Sequence, residues 1–85
     1  MRRDPEYFGD RELDLVYIGK RLRDALKLEA ALTQAGIDYA VQTETYRGGM
    51  IFQTERVGAF FYVFPETVDA ARQVIQAAGF KPHEL

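Results

Sequence analysis

Two stretches of the chain repeat one pattern: an apolar, strand-like run leads into an amphipathic helix that stops at alanine-glycine followed by a large apolar residue. The first comprises Leu13 to Ile18, then Leu22 to Ala35, then Gly36-Ile37. The second comprises Ala59 to Phe64, then Pro65 to Ala78, then Gly79-Phe80. Glycine after a helix takes the left-handed cap without a Cβ penalty, so both stops have a physical reason. Within the first helix Ala25, Leu28, Leu32 and Ala35 make one apolar stripe, and Val68, Ala71, Ile75 and Ala78 make another in the second. Two strand-then-helix units in 85 residues predict an open sheet with both helices on one face.

Between the units, Ile37 to Tyr46 alternates, with Ile37, Tyr39 and Val41 on one side and Asp38, Gln42 and Glu44 on the other, as in a half-buried strand. Gly48-Gly49 then separates Thr43–Arg47 from Met50–Thr54, a flexible hairpin signal because both glycines can take positive φ. Glu44 and Glu55 are expected to face each other across that hairpin. The segment Glu55–Gly58 reads as a break before the strongest strand, Ala59 to Phe64. The expected order is β-α-β-β-β-α, a ferredoxin-like α+β plan lacking its usual last strand, with Ala59–Phe64 lying between the first two strands. The expected organisation is an irregular lead-in over 1–12, one domain over 13–80 and a tail over 81–85.

A chain this short has a small core, so a surplus of large side chains must find cover. With five Tyr and six Phe the surplus is real. Along Ala59–Phe64, Phe60, Tyr62 and Phe64 alternate with Ala59, Phe61 and Val63, and both sets are apolar. The first strand likewise sets Val16 and Ile18 against Leu15 and Tyr17. One face must lie opposite the helices. A second copy of the chain, the tails through Tyr7-Phe8 or Phe80, or a ligand could cover it. Self-association as a homodimer through Phe60, Phe61, Tyr62 and Val63 is the expectation.

Composition removes most chemistry. There is no Cys, no Ser and no Asn, and the one His is His83 in the tail. A serine or cysteine nucleophile and a thiolate metal site are thereby excluded, and a non-catalytic protein with no metal and no cofactor is expected. Net charge −2 and pI near 5.3 argue against nucleic acid. Arg56 to Phe64 confirms this, because Val57 and Gly58 stand where an RNA-recognition strand needs glycine and an aromatic ring. No apolar run reaches membrane-helix length and no secretory leader is visible, so a cytoplasmic location is expected. Lys20, Arg21 and Arg23 cluster at the start of the first helix, where cations oppose the helix dipole. That makes them the candidate anion site, although Gly19-Lys20-Arg21 lacks the spacing of a phosphate loop. Asp38, Glu44 and Glu55 form no catalytic pair by spacing.

The run Leu15-Val16-Tyr17, the helix reaching Leu32-Thr33-Gln34-Ala35-Gly36-Ile37, and Tyr39-Ala40-Val41 carry a resemblance, continued by Phe61-Tyr62-Val63-Phe64-Pro65-Glu66 and Asp69-Ala70-Ala71. Over about Leu13 to Ala78 the chain resembles a small bacterial family of prokaryotic signal-transducing proteins. That family is similar in plan to ferredoxin-like regulatory domains, including PII proteins and ACT domains. The resemblance implies a regulatory or protein-interaction role in signal transduction and transfers no site residue; the basic opening Lys20-Arg21-Leu22-Arg23 departs from it. Sensing of a small anionic metabolite near Lys20, Arg21 and the glycine hairpin is the alternative.

Overall fold

The computed structural model describes the backbone of residues 1–48 and 54–83, and side chains outside 44–57. A 3-10 turn, Pro5–Phe8, precedes strand β1 (Asp14–Gly19), helix α1 (Leu22–Gln34), strands β2 (Ala40–Gly48) and β3 (Thr54–Val63), and helix α2 (Val68–Ala77). The three strands form an antiparallel sheet in the order β1-β3-β2, so β3 is central, as expected. Its pairing with β2 is continuous from Ala40↔Tyr62 to Gly48↔Thr54. The expected break over Glu55–Gly58 is therefore absent: those residues belong to one strand whose ladder with β2 outweighs the weak strand propensity of Gly58. The same register sets Glu55 opposite Arg47 and Glu44 opposite Gly58, so the two glutamates do not face each other. Gly48 ends β2 opposite Thr54, while Gly49 and most of the expected Met50–Thr54 strand lie outside the described residues.

Both helices pack on one face of the sheet. The core comprises Ala25, Leu28 and Leu32 from α1, Ala71 and Ile75 from α2, and Val16, Ile37, Tyr39, Phe61 and Val63 from the sheet and its approaches. Tyr39 stacks on Phe61 with ring centroids 5.8 Å apart. Its hydroxyl donates to the Glu29 carbonyl at 3.2 Å, which satisfies the polar end of a nearly inaccessible ring. Ala35, expected in the first stripe, is exposed because it is already the C-cap of α1.

The two helix stops match in detail. Gly36 and Gly79 have φ of 74° and 90°. After them the Ile37 amide donates to the Leu32 carbonyl and the Phe80 amide to that of Ile75, each at 3.0 Å. This is the six-to-one bond of a Schellman motif, and in both cases the residue that donates is the apolar one. Pro65 opens a single 3-10 turn, Pro65–Thr67, rather than α2 itself.

One correction concerns β1. Leu15 pairs with Tyr62 and Tyr17 with Phe61, so Val16 is an extra residue, a β-bulge. Val16 and Tyr17 both turn toward the helices, whereas Leu15 and Ile18 share the outer face with Tyr62 and Phe60. Simple alternation would have split Leu15 from Ile18. Both sheet edges also acquire a cover. The Val16 carbonyl accepts from the His83 amide at 2.7 Å, and Arg2 bridges Tyr39 in parallel fashion beside β2. The edge of β1 is therefore not left fully open.

Candidate functional site

Two surfaces emerge, one on each face of the sheet. The first is a cleft of about 260 Å³ where β1 hands over to α1. Gly19, Lys20, Arg21, Leu22 and Ala25 form one wall, and Thr43, Gly58 and Ala59 form the other. It exists because β1 stops pairing at Ala59 while β2 and β3 continue as a two-stranded ribbon back to Thr54. With only a threonine, a glycine and an alanine on the ribbon side, little bulk fills the corner. Lys20 and Arg21 line it and Arg23 stands exposed on the first turn of α1, without being part of the lining. Arg21 is the N-cap of α1 and supplies no side-chain capping bond. Among the described residues the two most exposed leucines are Leu22 in the cleft wall, at 76%, and Leu26 one helical turn on, at 55%.

The second surface is the outer face. Of the four residues expected to pair with a partner, Phe61 and Val63 are fully buried beneath the helices. Phe60 and Tyr62 occupy the outer face and are half-buried. They lie in two cross-strand rows, Leu15–Tyr62–Ala40 and Ile18–Phe60–Gln42. The lead-in covers one end of this face. Phe8 is buried edge-on against Phe64 at 4.8 Å, and the Arg11 guanidinium lies 4.4 Å above the Phe64 ring while holding Glu66 at 2.5 and 2.7 Å. That contact holds the Glu66 carboxyl below its ordinary pKa. A second cleft, about 230 Å³, remains between the lead-in and Tyr62, bounded by Phe8, Arg11, Leu13, Ala40 and Gln42. Phe80, the other ring expected to cover this face, packs instead on the helix side, 5.4 Å from Tyr17.

Asp38, which shows no catalytic partner by spacing, is a tether for the lead-in. Arg3 Nε donates to Asp38 Oδ1 at 2.9 Å and the Tyr7 hydroxyl to Oδ2 at 3.2 Å. The Arg3 bond, aided by that of Tyr7, pulls the Asp38 carboxyl below its usual range. No spacing rule joins Arg3 to Asp38. Only the parallel bridge beside Tyr39 brings them together. Among the described residues no three His, Asp or Glu side chains gather as metal ligands, and no helix is long and apolar enough to cross a membrane. Comparison with protein-family models, curated proteins and solved structures yields no match.

Proposed function

We propose that the chain is a non-catalytic regulatory or protein-interaction module of ferredoxin-like plan, acting in bacterial cytoplasmic signal transduction as a homodimer joined through the outer face of its sheet. The regulatory role follows the resemblance of residues 13–78. The observation that supports pairing is the outer face itself: Leu15, Ile18, Phe60 and Tyr62 stay half-buried after the lead-in has covered the Phe64 end. Completing the burial of four such side chains is worth at most about 2–4 kcal/mol per copy, since no more than about a third of the ~1.5–3 kcal/mol of each full burial remains to be gained. Two copies double that, against an association cost of about 4–15 kcal/mol. The dimer is therefore weak, and a two-fold arrangement lets each row meet its own counterpart.

Sedimentation velocity from micromolar to millimolar protein tests the proposal. A dimer that becomes a folded monomer of 9.7 kDa on Phe60→Glu or Ile18→Glu is the expected result. A monomer of the unaltered chain at every concentration would sink the idea.

A further inference from the structure

Three arginines of the lead-in are held in ion pairs, and the cations at the start of α1 are not. Arg2, Arg3 and Arg11 each contact a carboxylate, respectively Glu29, Asp38 and Glu66, and thereby fasten the lead-in to the body. Among the described residues, Lys20, Arg21 and Arg23 take part in no ion pair, and all three are exposed. Asp24 shares their turn and offsets part of their charge without forming an ion pair with any of them, so the three cations still leave a local positive excess on a chain of net charge −2. Cations held together without partners repel one another, and an acidic partner would relieve that repulsion.

The patch is not purely polar. Leu22 and Leu26, one helical turn apart, form an exposed apolar ridge beside it. The ridge runs into the cleft through Leu22 itself, and Ala25 and Ala59 continue the apolar lining inward. At about 260 Å³ the cleft falls below the ~300–1,000 Å³ of pockets that enclose a whole small-molecule ligand. It has room for one large side chain.

From this juxtaposition of unpaired cations, leucine ridge and small cleft we infer that the start of α1 docks an acidic peptide segment of a partner protein. The segment inserts one large apolar side chain between Leu22 and Gly58, and its carboxylates meet Lys20, Arg21 and Arg23. Apolar anchor plus flanking charge is a common way for a groove to recognise a peptide. This surface lies on the opposite side of the sheet from Phe60, so it is independent of the homodimer.

The test is fluorescence anisotropy at low salt with a labelled peptide of glutamates carrying leucines at helical spacing. Saturable binding is expected, at least tenfold weaker for Arg21→Glu/Arg23→Glu and for Leu22→Ser/Leu26→Ser. All four positions are exposed, and circular dichroism verifies that both variants fold. A peptide with serine in place of leucine should bind at least tenfold more weakly, and Phe60→Glu should bind like the unaltered protein. Absence of binding, or equal binding by the variants, overturns the inference. Equal binding of the serine peptide, or full competition by inorganic phosphate, overturns it in favour of a simple anion site. Tighter binding to phosphatidylserine vesicles than to the leucine peptide overturns it in favour of a lipid surface.

Discussion

Arg3 and Asp38, separated by 35 positions in the chain, are joined by a 2.9 Å bond from Nε to Oδ1. The Arg3 guanidinium also lies 4.6 Å above the ring of Tyr7, whose hydroxyl bonds the same carboxylate. Three residues thus close the lead-in onto the connection between α1 and β2.

Because the Asp38 carboxyl is depressed in the folded protein, its contribution to stability is present above its unfolded value of about 3.9 and disappears as pH falls through the lower folded value. Asp38→Asn should therefore lower stability at neutral pH. The difference from the unaltered protein should shrink to nothing toward strongly acid pH. Urea unfolding at a series of pH values checks this, and a difference that stays constant would show that Asp38 acts through packing alone. Glu66, depressed by Arg11, keeps part of the acid sensitivity in the variant.

Gly36 and Gly79 should each cost about 1–2 kcal/mol when replaced by alanine, the penalty for a Cβ in left-handed backbone. A Cβ at either position meets nothing within 4 Å, so no steric clash adds to that figure. Equilibrium unfolding of the two single variants should give similar losses, and the double variant should lose their sum.

Phe60 and Phe61 are adjacent in sequence and opposite in consequence. Phe61→Ala removes a ring with no exposed surface and should cost about 3–5 kcal/mol, much of the stability of so small a domain. Phe60→Ala, on the half-buried outer face, should cost much less in dilute solution and act mainly on self-association. Paired chemical denaturation and sedimentation measurements separate the two effects.

The β1 edge supplies another test. His83→Pro deletes the amide that bonds the Val16 carbonyl and should destabilise by about 1–3 kcal/mol, because a buried acceptor loses its donor. His83→Ala keeps the amide and should be nearly neutral. Equal effects would mean that the side chain, not the backbone bond, holds the tail.

Both helices, their stops and the central place of β3 are legible from the chain because each rests on local signals: helical spacing, a glycine cap, a strand between turns. Alternation divides β3 and β2 into two sets and marks Tyr39 as inward, but it does not say which β3 set lies beneath the helices: Phe61 and Val63, expected with Phe60 and Tyr62 on the pairing face, are buried in the core. The faces of β1 are not legible. A bulge leaves no mark in composition, and Leu15-Val16-Tyr17-Ile18 is apolar throughout. Nor is the strand through Glu55–Gly58 legible, since its pairing with β2 overrides weak local propensity. Lys20 and Arg21 stand out as a cluster, but Thr43 and Gly58 join them only through the register of two distant strands. Phe8 carries no periodic context: the sequence offers Tyr7-Phe8 only as one of several possible covers, and the contacts that hold the lead-in in place, Arg3 and Tyr7 to Asp38 and Arg11 to Glu66, join residues more than 30 positions apart.

The extra residue in β1 gives the strand a built-in allowance for change in length. Deleting Val16 would leave Leu15 opposite Tyr62 and Tyr17 opposite Phe61, since the ladder already bypasses it. Such a deletion would sacrifice one core side chain and leave every remaining residue on its present face. Deleting Ile18 instead would draw Gly19 outward and reverse the strand from that point on. Shortening of β1 is thus tolerable at one place, so variation in its length among descendants of this chain should fall between Leu15 and Tyr17 and leave the outer rows and the basic cleft intact.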